Sequence, residues 1–228
     1  RLVAAAQRTV GCFDLTTGAL QWATTNAWGR PDGCPPVATG NRLYILRGAD
    51  LSASDVETGA TLWKMDVTNS LGASARLHFV QGDLLMFRKS TTETNMQFHA
   101  LSAKDGSPLW TFATVRPKSV AYAGDQPFYA SGLVWINDWD DKGKMLWKGL
   151  KPADGAVSKT FVSPVGGIGC HPMLVTDRFA IGRRPSHFMS WEDGKAYDNP
   201  GMRGACRQAP YGLANGQICL QQCNVPFG

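Results

Sequence analysis

The feature that most constrains the fold is a five-residue pattern, Gly-x-x-x-Trp, that recurs along the chain. The four copies are Gly18 with Trp22, Gly59 with Trp63, Gly106 with Trp110, and Gly143 with Trp147. Successive tryptophans lie roughly 40 residues apart, which is the length of a four-stranded propeller blade with variable loops. The pattern therefore predicts an all-β propeller of four-stranded antiparallel blades.

Short apolar runs between the copies support strands rather than the helices of a solenoid with a similar period. Each run is entered through a dipeptide that favours a tight turn. The runs are 42–46, 83–87 and 133–136, and they follow Gly40-Asn41, Gly82-Asp83 and Ser131-Gly132. We therefore expect each run to be a β-strand that begins directly after a hairpin turn.

The residues before each tryptophan have a definite role in a turn. Asp14 and Asp55 precede Gly18 and Gly59 by four residues. An aspartate can accept hydrogen bonds from turn amides, while glycine takes the positive φ that closes the hairpin. The indole that follows buries a large apolar area and carries one N–H, which suits packing on a neighbouring blade.

The repeat weakens towards the C-terminus. Residues 175–181 are predicted to form a strand and 191–194 its turn, but Asp198 stands where a tryptophan is expected. Asn215-Gly216 predicts a further hairpin before residues 217–220. We therefore expect about five to six blades in one propeller domain over residues 1–228. The blades are expected to be regular over 1–165, and degenerate and cysteine-rich over 166–228. If these blades form an incomplete ring, further blades must come from a longer precursor or a separate chain.

The fullest copy, Ala-Ser-Asp-Val-Glu-Thr-Gly-Ala-Thr-Leu-Trp at residues 53–63, resembles the tryptophan-docking motif of the PQQ-like (quinoprotein alcohol dehydrogenase-like) propeller family. The copy ending at Trp22 has Cys12 in place of the alanine, and the copy ending at Trp110 has Ser102 in place of the aspartate. The resemblance covers residues 1–147. The C-terminal segment is similar to the end of secreted bacterial members.

The family that the chain resembles includes pyrroloquinoline quinone dehydrogenases, cofactor-free scaffold lipoproteins of outer-membrane assembly, and proteins with no known activity. The dehydrogenases of the family hold the quinone against two adjacent cysteines, and this chain has no Cys-Cys pair. Their calcium ligands and catalytic aspartate match no residue here. Cys219 and Cys223 are separated by three residues and no histidine follows, so the haem-attachment pattern is also missing. We expect no cofactor, and PQQ with calcium belongs only to the alternative.

The six cysteines predict disulfides and therefore an oxidising compartment, which would be secreted, periplasmic or at the cell surface. They are Cys12, Cys34, Cys170, Cys206, Cys219 and Cys223. The alternative of a metal site is disfavoured because no Cys-x-x-Cys spacing occurs. Many pairings are possible, and those that need the least excursion of the chain are Cys12 with Cys34 and pairs within the last four cysteines.

The net charge of +5 is scattered along the chain. No basic stripe with interleaved aromatic residues indicates nucleic acid, and no apolar stretch reaches the length of a membrane span. Four arginines are candidates to bind an anionic glycan, a lipid head group or a cofactor carboxylate. They are Arg183, Arg184, Arg203 and Arg207.

Other chemical groups do not form a recognisable site. The four histidines, in separate units, are interpreted as ordinary strand or loop residues, and the acidic run at 138–141 as a solvated turn rather than a calcium loop. No Gly-x-Ser-x-Gly pattern indicates a serine nucleophile. The histidines are His78, His99, His171 and His187.

The leading hypothesis is a noncatalytic secreted or periplasmic propeller that acts as a binding or scaffold subunit with a protein partner. The alternative is a quinoprotein-type oxidoreductase whose cofactor site is completed by blades outside this chain. A weaker alternative is a polysaccharide lyase or hydrolase, suggested by the positive charge and by residues such as Arg203 and Tyr211.

Overall fold

The structure is a computed structural model. It describes residues 1–6, 9–25, 36–71, 75–90, 92, 94–117, 127–163, 174–181, 187–198, 211–212 and 218–219. Strands and turns account for all the regular structure in these ranges. In the same ranges no helix is long and apolar enough to cross a membrane.

Within the described ranges the strands form six sheets in chain order, and we call each sheet a blade. Blade 1 has three strands, β1 (Leu2–Ala6), β2 (Thr9–Phe13) and β3 (Leu20–Thr24). Blade 2 contains β4 (Val37–Thr39), β5 (Arg42–Arg47), β6 (Asp50–Asp55) and β7 (Thr61–Asp66). Blade 3 contains β8 (Arg76–Gln81), β9 (Leu84–Ser90), β10 (Asn95–Ser102) and β11 (Pro108–Val115).

The later blades become shorter towards the end of the chain. Blade 4 contains β12 (Phe128–Ala130), β13 (Leu133–Trp139), β14 (Met145–Leu150) and β15 (Val157–Val162). Blade 5 contains β16 (Leu174–Val175), β17 (Phe179–Ile181), β18 (His187–Ser190) and β19 (Ala196–Asp198). The described part of blade 6 is the pair β20 (Tyr211–Gly212) and β21 (Ile218–Cys219). The predicted propeller of about five to six antiparallel blades is confirmed.

The position of a strand in its blade explains its sequence. The second strands, β5, β9 and β13, each contain four consecutive buried residues, which is why they appear as continuous apolar runs. The last strands β7 and β15 alternate between exposed and half-buried residues, as expected for an edge strand with one packed face. All three predicted runs are strands that follow their predicted turns. Asn215-Gly216 lies outside the described residues, but β20 and β21 pair on either side of it.

The chain forms two compact units, Arg1–Ala113 and Thr114–Gly228, and the boundary falls within β11. In the first unit, one apolar core lies between blades 1 and 2 and contains Val10, Cys12, Leu43 and Val56. A second core joins residues of blades 2 and 3. In the second unit, a core rich in tryptophan joins blades 4 and 5. Burial in each unit therefore takes place where one blade faces the next.

One turn recurs before the last strand of blades 1 to 5. Its glycine donates its N–H to the carbonyl four residues earlier, and the residue at that earlier position donates to the carbonyl five residues later. Each glycine has a φ between 70° and 77°, a conformation that costs a side-chain-bearing residue about 1–2 kcal/mol. We call this the closing turn. Its glycines are Gly18, Gly59, Gly106, Gly155 and Gly194.

The predicted fourth copy, Gly143 with Trp147, is therefore wrong as a member of the repeat. Gly143 closes a shorter turn between β13 and β14, where its N–H donates to the carbonyl of Asp140, only three residues earlier. The equivalent glycine of blade 4 is Gly155, and Lys159 stands at its tryptophan position. Trp147 is instead a buried residue of the core between blades 4 and 5.

The prediction of a disulfide at Cys12 is also corrected. Among the described residues, Cys12 is a free, fully buried thiol that packs with Val10 and Leu43. It occupies the alanine position of the motif, so its neighbours require a small apolar side chain there. Cys34, Cys170, Cys206 and Cys223 lie outside the described residues, and Cys219 is described only as part of the backbone of β21.

Two closing turns contain an aspartate whose carboxylate accepts hydrogen bonds from the turn. Oδ1 of Asp55 accepts hydrogen bonds from the N–H and hydroxyl of Thr58, at 2.8 and 2.9 Å. Asp14 makes the same two bonds with Thr17, at 2.9 and 3.0 Å. Backbone N–H donation, followed by the hydroxyl bond, holds the pKa of each carboxyl below its ordinary value. These hydrogen bonds favour the charged form of the aspartates.

The unfolding free energy should fall in acid through these turns. A carboxyl whose folded pKa is lowered contributes stability above its unfolded pKa of about 3.9, and this contribution is lost as the pH falls through the folded value. Asp55→Asn keeps an acceptor oxygen but removes the titration, so its unfolding free energy should fall less between about pH 5 and pH 2 than that of the parent chain. Urea unfolding at several pH values measures this. As a control, Leu62→Gln, which changes an exposed residue of β7 and removes no titratable group, should retain the parent acid dependence.

Candidate docking site

In blades 2, 3 and 5 the closing turn lies on the face of the blade that contacts the preceding blade. We call the corresponding face of any blade its receiving face. In blade 2 the receiving face accepts Trp22 from β3. The indole Nε1 donates to the carbonyl of Val56 at 2.8 Å. A Cβ added at Gly59 would lie 2.7 Å from Cδ2 of Trp22, a distance that real Cβ atoms essentially never show. The turn therefore holds the ring only because residue 59 is glycine.

Blade 3 receives Trp63 with a different set of hydrogen bonds. A Cβ at Gly106 would lie 3.1 Å from Cζ3 of Trp63. Ala103 occupies the position of Val56, and its carbonyl accepts from Tyr44 Oη at 3.3 Å and from Arg42 Nη1 at 3.1 Å. The indole N–H of Trp63 is buried with no hydrogen-bond partner among the described residues. The carbonyl is still satisfied by blade 2, but not by the tryptophan.

Blade 5 is covered by two residues of blade 4 that share the role of one tryptophan. Phe161 lies on the turn, so that a Cβ at Gly194 would lie 2.5 Å from its Cδ1. Lys159, at the tryptophan position, donates through Nζ to the carbonyls of Trp191 and Glu192, at 3.2 and 2.9 Å. Trp191 occupies the position of Val56, so the same carbonyl accepts a hydrogen bond in both blades. Phe161 therefore supplies the ring and Lys159 supplies the donor.

The receiving face of blade 1 is uncovered. No atom of the described residues lies within 4 Å of a Cβ built at Gly18. Leu15, at the position of Val56, is 71% exposed, whereas Val56 is 5% exposed and Ala103 and Trp191 are fully buried. Leu2, which pairs with Phe13, is 50% exposed, and its counterpart Leu43 is fully buried. This face, made of Leu2, Phe13, Leu15 and Gly18, has the composition of a blade interface but no occupant in the described structure.

The charged groups beside the uncovered face are already paired. Arg1 donates through Nη1 to Asp14 at 2.9 Å and through Nη2 to Glu57 at 2.5 Å. It thereby links the closing turns of blades 1 and 2 at the rim of their interface. The hydrogen bond with Glu57 is the main reason that the pKa of Arg1 is raised. The uncovered face itself presents apolar side chains and turn backbone.

The structure brings together only some of the residues singled out in the sequence. Trp22 meets Gly59 and Trp63 meets Gly106, whereas Trp110 is half-buried on β11. The anion-binding candidates all lie outside the described residues, as do the side chain of Tyr211 and with it the residues behind the lyase hypothesis. These candidates are Arg183, Arg184, Arg203 and Arg207.

The two histidines whose side chains the structure describes lie in the same blade, blade 3, and not in separate units as predicted. Burial lowers the pKa of His78 to about 4, with repulsion from Arg88 and Arg76 as smaller causes, so the ring is neutral at pH 7. Burial, followed by repulsion from Lys89, also lowers the pKa of His99. His171 and the side chain of His187 lie outside the described part of the chain.

The acidic run at 138–141 is occupied by protein contacts at two of its carboxylates. Asp138 forms an ion pair with Lys148 at 2.5 Å. Oδ1 of Asp140 accepts from the N–H groups of Lys142 and Lys144, at 3.0 and 2.7 Å. In the described ranges no three histidine, cysteine or carboxylate side chains gather in a way that could hold a metal ion.

Two residues that replace the tryptophan in blade 4 are not predicted from the sequence. Lys159 follows Gly155 by four residues, so the spacing of the repeat was visible, but lysine is not an expected substitute for indole. Phe161 lies two residues further along β15, as Met65 does relative to Trp63, and Sδ of Met65 also approaches Gly106, with 3.3 Å to an added Cβ. A pattern that allows any large side chain four or six residues after the closing glycine would predict Phe161.

Together, the four-stranded blades and their recurring closing turn define a β-propeller. A family model described as outer membrane protein assembly factor BamB matches residues 6–165. The chain therefore belongs to this PQQ-like propeller family. No curated protein matches the sequence significantly.

Solved structures share the fold at low sequence identity. BamB from Moraxella catarrhalis is 19% identical, with a TM-score of 0.55 over 85% of this chain and 59% of that one. Quinohemoprotein alcohol dehydrogenase from Comamonas testosteroni is 14% identical, with a TM-score of 0.58 over 86% of this chain and 41% of that one. The Pan2 WD40 domain of Neurospora crassa is 9% identical, with a TM-score of 0.54 over 86% of this chain and 60% of that one. The chain thus spans about two fifths to three fifths of the length of these proteins.

The contact between Phe161 and Gly194 predicts strongly non-additive stability changes. Gly194→Ala should cost about 1–3 kcal/mol beyond the strain of a positive φ, because its methyl group overlaps the ring of Phe161. In a Phe161→Ala chain this extra cost should disappear, so that the double variant is more stable than the sum of the single changes predicts by at least about 1 kcal/mol. Urea unfolding of the four chains measures the coupling.

The matched control for this comparison of single and double variants is Gly132→Ala. Gly132 also has a positive φ, of 77°, but no described atom lies within 4 Å of its added Cβ. Its cost should add to that of Phe161→Ala within about 0.5 kcal/mol. Additivity of Gly194→Ala with Phe161→Ala would contradict the assigned contact.

Proposed function

We propose that this protein is a noncatalytic subunit that binds another protein in a secreted or periplasmic assembly. The observation that carries the proposal is the uncovered receiving face of blade 1. It exposes leucines at positions that are buried at the other blade interfaces of the chain. Soluble proteins rarely leave contiguous apolar surface exposed unless it meets a partner.

Membership of the family supports an assembly role. The matching family model is named for an outer membrane protein assembly factor, and BamB is among the structures that share the fold. The proposed compartment rests on that name and on the cluster of four cysteines in the last 59 residues, which favours an oxidising environment. The five cysteines other than Cys12 remain candidates for disulfides there.

A quinoprotein-type oxidoreductase is the second candidate, because an alcohol dehydrogenase of that class has a TM-score of 0.58 to this chain. Calcium that accompanies a quinone needs several oxygen ligands in one place. The described residues gather no such group, and the sequence has no adjacent cysteines to lie against the quinone. A quinone site would therefore have to be completed by residues outside the described ranges or by blades outside this chain. We favour the first candidate because the face that carries it lies among the described residues.

The experiment is co-purification of the full chain from solubilised envelope membranes of its native host, with a charged substitution on or off the receiving face. Leu15→Glu should abolish recovery of the partner, because burying an unpaired carboxylate in an apolar interface is strongly unfavourable. Leu62→Glu, at a leucine of β7 that is 50% exposed, should leave recovery unchanged.

Two results would contradict the proposed function. One is recovery of the chain without a partner under all conditions. The other is stoichiometric binding of pyrroloquinoline quinone with calcium together with dye-linked alcohol oxidation, which would establish the oxidoreductase instead.

A further inference from the structure

The last strand of blade 3, β11, has an outer edge that no described strand covers. β11 lies at the end of its sheet, and its neighbour there is β10. With eight residues it is the longest last strand in the described ranges, since β3, β7, β15 and β19 have five, six, six and three. An edge strand presents a row of backbone donors and acceptors to any other extended strand.

The outer edge of β11 lacks the charges that protect an edge strand. Charged side chains, lysine above all, discourage an edge from pairing with another chain. β7 contains Lys64 and Asp66, and β15 contains Lys159, whereas β11 contains no charged residue. Pro108 removes one donor, but only at the first position of the strand. The rest of β11 is therefore open to pairing.

The backbone groups of two residues in the middle of β11 point outward. Ser102 directs its N–H into the closing turn before β11, and Ala103 directs its own to the turn before β9. Backbone groups alternate in direction along a strand, so those of His99 point towards β9. Thr111 lies opposite His99, because its Oγ1 is 3.1 Å from Nδ1 of His99. The N–H and C=O groups of Thr111 and Ala113 therefore point away from β10.

The side chains along this edge are exposed and uncharged. Leu109 is 45% exposed, and Thr111 and Ala113 are exposed as well. All three belong to the first compact unit. Small side chains at the outward positions allow another strand to approach closely, and the leucine adds apolar area beside them.

A second copy of this chain fits the edge. Most soluble oligomers are built on a two-fold axis, which brings the same surface of both copies together. Antiparallel pairing of β11 with itself brings no charge against a like charge, whereas β7 would bring Lys64 close to its own copy. With the axis at Phe112, Thr111 of one copy lies opposite Ala113 of the other. Each of these pairs then exchanges both of its N–H···O=C hydrogen bonds.

We propose that two copies of this chain pair through the outer edges of their β11 strands, antiparallel and around a two-fold axis at Phe112. Blade 3 of one copy then continues into blade 3 of the other as a single sheet. This contact lies on a different surface from the receiving face of blade 1. The inference therefore goes beyond the proposed function and does not rest on it.

The test follows amide hydrogen exchange in the full chain by nuclear magnetic resonance over a range of protein concentrations. In the dilute chain, the amides of Thr111 and Ala113 should exchange at least about tenfold faster than that of Phe112, which points towards β10. Raising the concentration should slow the exchange of Thr111 and Ala113 and leave that of Phe112 unchanged. Over the same range, sedimentation equilibrium should show the mass changing from that of one chain to that of two.

Substitutions separate this edge from other surfaces. Ala113→Lys should keep the chain monomeric and its Thr111 amide unprotected at every concentration, because it places a lysine of each copy beside the axis. Leu62→Lys, which adds the same charge at an exposed residue of β7, should leave the dimer unchanged. Leu15→Glu should also leave it unchanged. Urea unfolding establishes that the variants are folded.

Three outcomes would overturn the inference. Protection of Thr111 and Ala113 at every dilution in a monomeric chain would show that other residues of the same chain cover the edge. Unprotected amides in a chain that stays monomeric at all concentrations would show that the edge does not pair. A dimer that survives Ala113→Lys would place the contact on another surface. Each result leaves intact any co-purification that depends on Leu15, and with it the proposed function.

Discussion

The structure depends on the contact between a large side chain and a glycine that has no room for a Cβ. At Gly59 the ring of Trp22 lies where a methyl group would be, and Phe161 does the same at Gly194. The positive φ of the closing turn and the close approach of the ring both require glycine, for independent reasons. The contact joins consecutive blades within each compact unit, and the apolar cores are built around it.

The three observed interfaces show that an indole makes two contacts that different residues can also make separately. It covers the turn, and it can donate a hydrogen bond to the carbonyl after the first turn residue. Trp22 does both, and Trp63 covers the turn while Tyr44 and Arg42 supply the donors. In blade 5 the two contacts are divided between Phe161 and Lys159. The interface is therefore conserved within the chain in its geometry more than in its residue types.

The sequence predicts the fold well because strands and turns are local. Gly40-Asn41 and the apolar run after it form a turn and the strand β5, as predicted. It fails where two different turns share a spacing: Gly143 and Trp147 match the pattern but belong to the hairpin between β13 and β14. The backbone hydrogen bonds of Gly155 and the register of the sheet, in which Leu150 pairs with Val157, identify it as the closing glycine of blade 4.

The candidate site could not be predicted from the sequence because the exposure of an apolar residue depends on contacts between blades. Leu2 and Leu15 have the residue type of core positions, and exposure depends on whether a neighbouring blade is present. Cys12 likewise has the residue type of a disulfide partner, but its position on β2 makes it a small core residue. Sequence specifies which face is apolar, whereas tertiary structure specifies which apolar face is covered.

The central claim is most directly tested by comparing Gly59→Ala with Gly18→Ala. The two glycines have nearly equal φ, 73° and 71°, so the backbone cost of about 1–2 kcal/mol is shared. Of these two glycines, Gly59 is the one covered by a ring. Gly59→Ala should therefore lower the unfolding free energy by at least about 1 kcal/mol more than Gly18→Ala does. Equal losses in the two variants would contradict the account.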